Sequence, residues 1–222
     1  MPKTTDNMTT PLSKVLNLYA GIGGNRKLWT DVEVTAVELN PGIAMFYQDH
    51  FPNDTVIIAD AHRYLLDHYK EFDFIWSSIE CPTHSRARYW TSKGGRYKPV
   101  YPDMGLYQEI IFLRHFAECD WVVENVNPYY EPLIIPTIKL ERHLFWSNIN
   151  ITNKQFPKNK VFNGNIKTWQ NDIGFDVTGY DFGVRKDKIL RNCVNPELGL
   201  HILNCALNKE KVIQTMFDYN LK

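Results

Sequence analysis

The sequence predicts an α/β domain built on a doubly wound, mostly parallel sheet. Three observations carry this expectation. Strand-length apolar runs alternate with helical stretches, a glycine-rich turn follows the first run, and acidic residues close the next two. The runs are "VLNLY" (15–19), "VTAVE" (34–38), "TVIIA" (55–59), "FDFIWSS" (72–78) and "WVVEN" (121–125). Continuous apolar character of this length suits strands covered on both faces. Between them, "PGIAMFYQDHF" (41–51) opens with Pro and Gly, and "AHRYLLDHY" (61–69) follows Asp60, a helix-capping residue type. Leu106, Ile110, Leu113 and Ala117 form one apolar helical face between 105 and 118. The alternation implies βαβ units with right-handed crossovers. After Trp146 the rhythm stops. Residues 150–183, rich in Asn, Lys, Gly and aromatics, give no assignable element, and an apolar helix over 196–207 returns the chain to the core.

A chain of 222 residues suits one such domain with a small appendage. It has enough core to fold without disulfide staples. The cysteines Cys81, Cys119, Cys193 and Cys205 form no CxxC pair, which argues for free thiols in a reducing, cytoplasmic setting and against a metal site. The first residues, "MPKTTDNMTTPLSK", have no apolar core of a signal peptide, and no run reaches a membrane span. Formal net charge is zero, which speaks at first against a nucleic-acid partner. The distribution reverses that. Residues 81–102 hold Arg86, Arg88, Lys93, Arg96 and Lys98 without one acid. Residues 142–171 hold Arg142, Lys154, Lys158, Lys160 and Lys167, again without an acid. Two such segments either form one phosphate-facing surface or are solvated loops.

The candidate site gathers at strand ends. "LYAGIGG" places Gly21, Gly23 and Gly24 in the turn after the first strand, where a cofactor can approach the backbone. Glu38 ends the second strand, suited to ribose hydroxyls, and Asp60 follows the third, within reach of an adenine amine. A flavodoxin-like sheet with a capping turn is the bland alternative, and this spacing alone does not separate NAD from S-adenosylmethionine. Cys81 follows the fourth strand and Glu124 closes the fifth at the same edge. A thiol and a carboxylate converging on one cleft form a catalytic constellation, against which stand an inert thiol and a strand-end cap.

At these residues the chain resembles the DNA (cytosine-5) methyltransferases. "LYAGIGG" resembles their first cofactor motif with Tyr19 for the usual Phe, "VELNP" their ribose-binding segment, and "ADAH" their adenine-contacting one. "IECPTHS" matches the nucleophile loop in Cys81 and Ser85, "ENV" the cytosine-gripping motif, "LERHLF" the arginine-bearing strand and "RNCVNP" the closing motif. The resemblance covers 15–148 and 189–204. It implies a Rossmann-like fold with S-adenosylmethionine held by Tyr19, Gly21, Gly23, Gly24, Glu38, Leu39, Asp60, Asn192 and Val194. Catalysis would rest on Cys81 as nucleophile, Glu124 on the base and Arg142 at its carbonyl side. Ser85, Arg86, Arg88, Lys93, Arg96 and Lys98 would contact DNA from a mobile loop, with Arg86 and Arg88 favouring the Cys81 thiolate. The implied organisation is a flexible N-terminus (1–13), a catalytic domain (14–149), a short target-recognition insert (150–188) whose Phe156, Phe162, Trp169 and Phe175 help read a few bases, and returning C-terminal helices (189–222). The implied protein is a monomer without metal, a compact bacteriophage-like member in a restriction–modification setting.

The chain departs from the family's Pro-Cys-Gln-x-Phe-Ser pattern. Glu80 replaces the proline, Pro82 the glutamine and His84 the phenylalanine. A carboxylate beside the thiol opposes thiolate formation. His84 either assists proton removal or merely stacks or contacts phosphate, and the second role is expected. RNA as substrate, an altered donor group and a catalytically silent DNA-binding protein therefore stay open beside DNA methylation. A free pyrimidine nucleotide fits the basic loops poorly. An NAD-dependent oxidoreductase leaves Cys81 and Glu124 without a joint purpose.

Overall fold

The computed structural model describes residues 13–156 and 164–207. Most of the expected flexible N-terminus, Phe162, Lys158, Lys160 and the last residues of the C-terminal segment lie outside them. The strands are β1 (Ser13–Leu18), β2 (Val32–Glu38), β3 (Thr55–Ile58), β4 (Phe74–Ser78), β5 (Asp120–Val126), β6 (Ile138–Leu140) and β7 (His143–Ser147). The helices are α1 (Pro41–His50), α2 (Ala61–His68), α3 (Arg86–Lys93), α4 (Gly105–Phe116), α5 (Ile166–Ile173), α6 (Lys186–Asn192) and α7 (Pro196–Ala206). They form one seven-stranded sheet in the order β3-β2-β1-β4-β5-β7-β6. β1 to β5 pair in parallel, and β7 runs antiparallel between β5 and β6. The fold is Rossmann-like, as expected. That strand order excludes the flavodoxin-like alternative, whose strand order is different.

Alternation along the strands sorts the core into two layers. Val15, Val34, Phe74, Trp76, Val122 and Phe145 face one way and meet Leu198, Ile202 and Leu203 of α7. Leu16, Leu18, Val37, Ile75 and Val123 face the other way and meet Leu65 of α2 and Leu106, Ile110 and Leu113 of α4. The start of α2 is capped as the sequence suggests, and α1 is capped by a residue the sequence reading did not single out. The Asn40 side chain accepts from the Gly42 and Ile43 amides at α1, and Asp60 accepts from the Arg63 amide at α2.

Two regions differ from expectation. The basic segment after Cys81 is not a free loop, because Ser85 caps α3 by accepting the Arg88 amide. In the insert, residues expected to meet bases are packed inward. Its Ile173, Phe175, Val177 and Phe182 are buried against Ile22, Phe46 of α1, and Ile189 and Leu190 of α6. Phe175, Tyr180 and Phe182 each lie within 5.7 Å of the Phe46 ring, ring centre to ring centre. Phe175 therefore packs α1 and presents no face to a base, while Phe156 packs against the α7 layer.

Candidate active site

The order of strands reverses between β1 and β4, so the crevice of the sheet opens where their carboxyl ends diverge. A cavity of about 530 Å³ lies there. Every residue expected to hold the cofactor or to act in catalysis lines it, apart from Gly23. None of the six residues expected to contact DNA does.

The cofactor half grows from the turn after β1. Gly21 has a left-handed φ of 55°, and a side chain there would project into open space, so the turn presents bare backbone to the cavity. Its amide donates to Glu38 Oε2 at 3.0 Å, while the Asn40 amide donates to Oε1 at 2.9 Å. Burial raises the Glu38 pKa and these amides pull it back, so the carboxylate is held charged-side toward the turn. Gly24 has another reason to be glycine. A Cβ there would come within 2.6 Å of the Val194 carbonyl oxygen, so the returning segment presses directly on the turn. Gly23 is likewise closed off by Phe51 and Tyr47 of the α1 region and is a packing position. Leu39, 66% exposed, stands at the cavity edge, and exposed Asn192 and buried Val194 close the far wall.

The reactive half is built from three elements. Cys81 follows β4 and is half-buried. Ser78 of β4 is in register with Glu124 of β5, and His143 of β7 is paired with Val126 two residues on. Burial pushes the Glu124 carboxyl up to about 7, opposed by a hydrogen bond from Ser78 and by the Arg142 charge. Burial and the Glu124 carboxylate push the Cys81 thiol up to about 11. Arg142 counters this, and Glu80 adds a smaller upward push. Arg86 and Arg88, expected to favour the thiolate, do not act on it: Arg86 Nε donates to the Pro128 carbonyl at 3.0 Å, and the Arg88 guanidinium lies over the Tyr97 ring at 4.6 Å. Arg142 is the base that faces the site. Its guanidinium also donates to the Arg191 carbonyl at 2.8 Å and the Cys193 carbonyl at 3.3 Å, which ties the turn between β6 and β7 to the C-terminal segment.

His84 is placed neither to move a proton at the site nor to meet phosphate; its ring packs on Tyr130. It is fully buried, lies outside the cavity wall, and its Nδ1 is 2.6 Å from the Tyr130 hydroxyl. It pins the loop after Cys81 to the loop after β5. Ser85 is engaged in capping, whereas Arg86, Lys93, Arg96 and Lys98 are exposed.

Two residues absent from the sequence reading are part of the site. His143 is buried on the cavity wall with Nε2 3.6 Å from Glu124 Oε1, and burial pushes its pKa well down, so it faces Glu124 as a neutral ring. Glu109 of α4 is fully buried behind the cavity. The Tyr19 hydroxyl (2.6 Å) and His62 Nδ1 (2.9 Å) meet its Oε1, and the Ser77 hydroxyl donates to Oε2 at 2.6 Å. Tyr19 and His62 line the cofactor half, so Glu109 holds two of its walls. Glu109→Ala is expected to leave three polar groups unpaired. Thermal denaturation should show a loss of roughly 3 kcal/mol, and calorimetry a weaker cofactor affinity.

Among the described residues no helix is long and apolar enough to cross a membrane, and no group of three or more His, Cys, Asp or Glu is placed to hold a metal ion.

No protein-family profile and no curated protein matches the chain. Solved structures do match over part of it. A SAM-dependent methyltransferase from Agrobacterium tumefaciens is 14% identical over 55% of this chain and 41% of its own, with a TM-score of 0.40. A DNMT2 protein of Spodoptera frugiperda is 23% identical over 52% of this chain and 36% of its own, with a TM-score of 0.37. The Entamoeba histolytica methyltransferase EhMeth is 14% identical over 53% of this chain and 39% of its own, with a TM-score of 0.34. The chain thus spans less than half the length of each of these proteins, and the likeness is one of partial fold.

Proposed function

We propose that the protein transfers a methyl group from S-adenosylmethionine to carbon 5 of cytosine in DNA. The observation that carries this reading is that one cavity joins the bare backbone of Gly21 and the Glu38 carboxylate to Cys81, Glu124 and Arg142. Its volume of about 530 Å³ fits a small-molecule site. S-adenosylmethionine fits the cofactor half. Glu38 and Asp60 would hold its ribose and adenine, and Leu39 and Val194 would pack on its rings. When bound, it supplies an electrophilic methyl group.

This chain's residues then do the rest. Carbon 5 of cytosine is a poor nucleophile until something adds at carbon 6. The Cys81 thiolate adds there while Glu124, as the acid, gives a proton to ring N3 and accepts from the exocyclic amine. Arg142 and the neutral His143 stand on the remaining side of the base. Carbon 5 takes the methyl, its proton passes to water, N3 returns its proton to Glu124, and expulsion of the Cys81 thiolate restores the ring. A base stacked in a duplex cannot reach a half-buried thiol, so it must be flipped or unpaired. The reading carries with it a monomer acting in the cytoplasm.

A second reading is favoured by one observation. A thiol pushed up to about 11, with Glu80 beside it, suits a protein that binds DNA without turnover. Methyl-labelled S-adenosylmethionine, mixed-sequence DNA and nucleoside mass spectrometry separate the two. Label on 5-methylcytosine, lost in Cys81→Ala, is expected. DNA and cofactor binding without label would favour the silent protein, and label on RNA alone would move the substrate.

A further inference from the structure

Of the insert's rings expected to read bases, Phe175 is buried and Phe156 packs on the α7 layer, and among the described residues the exposed rings lie elsewhere. Among the described residues the exposed large aromatics are Trp90 (65%), Tyr97 (48%), Tyr101 (94%) and Phe116 (60%). The first three fall within the acid-free segment 81–102, among exposed Arg86, Lys93, Arg96 and Lys98. Basic groups interleaved with exposed rings are the composition of a surface for unpaired nucleic acid, since every base has a face to stack but a duplex hides it.

The rings are also held in place. Buried His84, three residues beyond the nucleophile, packs on Tyr130 at 6.0 Å between ring centres. Tyr130 packs on Tyr129 at 5.1 Å, and Tyr129 stacks on Tyr89 at 4.5 Å with planes only 7° apart. Tyr89 meets Trp90 at 5.6 Å. Ser85 bridges to Pro128, and Arg86 Nε donates to the Pro128 carbonyl, so the start of α3 is fixed to the loop after β5. No residue of α3 is fully buried, so the ring ladder and these polar ties, rather than a core face, hold the helix. The ladder thus begins beside the cavity wall and ends on a ring in solvent. A fixed, solvent-facing ring loses little freedom when a ligand stacks on it.

We infer that Trp90 is a stacking platform for an unpaired nucleotide of the DNA substrate next to the target cytosine, so that the protein prefers single-stranded DNA to duplex. This rests on the methyl-transfer reading for its substrate but on different residues. Stacking binds one base face, and Lys93, Arg96 and Lys98 hold the phosphates on either side without reading sequence.

The test is fluorescence anisotropy of a short labelled single strand, its duplex and the RNA of the same sequence, without cofactor. The wild type, Trp90→Ala, Trp90→Phe, Lys93→Ala and Phe116→Ala as control are compared. Trp90→Ala is expected to weaken single-strand binding roughly tenfold with the salt dependence unchanged, and Trp90→Phe to recover most of it. Lys93→Ala is expected to lower the salt slope by about one, with a smaller loss. Duplex binding by Trp90→Ala and all binding by Phe116→Ala should stay unchanged. An equal loss on single strand and duplex, tighter binding of RNA than DNA, or no loss at all would overturn the proposal. Cys81-dependent label on cytosine, measured separately, would in those cases leave the methyl-transfer reading standing.

Discussion

DNA carrying 5-fluorocytosine is expected to become covalently fixed to Cys81 in the presence of S-adenosylmethionine. Fluorine replaces the proton whose loss expels the thiol, so the reaction halts after methyl transfer with the Cys81–carbon 6 bond intact. Denaturing electrophoresis and peptide mass spectrometry should place the adduct on Cys81 and find none in Cys81→Ala, whose turnover should fall by at least roughly a thousandfold. The pH dependence of trapping is a sharper check. The reactive form needs a thiolate at Cys81 and a proton on Glu124, yet the carboxyl titrates at about 7 and the thiol at about 11. Between those values one fraction rises as the other falls, so the rate should be flat. Below pH 7 Glu124 stays protonated and thiolate alone declines, about tenfold per unit. Because the thiol lies well above the carboxyl, the reactive form is a minor population at any moment, and turnover is expected to be slow. In Glu124→Gln the plateau should vanish and the residual rate climb with pH toward a thiol whose pKa has dropped. A wild-type rate that climbed between pH 7 and 9 would remove Glu124 as the acid.

The same substitution is expected to stabilise the protein. Glu124 has a native pKa of about 7 against an ordinary value of 4.5. Across that window the native state keeps a proton that the unfolded chain has released, so stability falls as pH rises, and the whole penalty is present above 7. Glutamine carries no charge to desolvate. At pH 8 Glu124→Gln should melt roughly 5–10 °C above the wild type, the equivalent of up to about 3 kcal/mol. The gap should narrow as pH falls below 7 and close only below the ordinary value of 4.5, where native and unfolded chains both hold the proton. An unchanged melting temperature at pH 8 would mean that Arg142 already compensates the buried carboxylate. With Glu124 as the proposed acid, activity and stability are expected to pull apart at this residue, as they do where a site keeps a charge the fold would shed.

Strands β1 to β5 and helices α1, α2 and α4 were legible because each shows a local pattern, apolar runs for the sheet interior and 3.6-residue spacing for α4. So was the gathering of Gly21, Glu38, Asp60, Cys81 and Glu124, since strand ends in a parallel sheet share one edge. What escaped depends on partners far along the chain. Glu109 sits between Leu106 and Ile110 and reads as a polar residue on a mixed helix, while its partner Tyr19 lies 90 positions away. His143 looks like a neighbour of Arg142 until strand pairing turns it onto the face of Glu124. Helix α3 has no apolar periodicity to betray it and is held by a cap and stacked rings. The insert announced its aromatics but not what they cover, because Phe46 belongs to a helix more than a hundred residues earlier.

The contact of Gly24 with the Val194 carbonyl has a counterpart at Gly199 of α7, whose missing side chain makes room for the Asn25 backbone. The glycine turn is thus pressed into shape by residues made some 170 positions later. A ribosome adding about 5–20 residues per second needs on the order of ten seconds or more to cover that distance. Throughout that interval the strands of the sheet can begin to pair, while the cofactor turn waits without its backing. The nascent chain should therefore remain unable to hold S-adenosylmethionine until α7 has left the exit tunnel, so that ligand capture trails the pairing of the sheet that forms its floor.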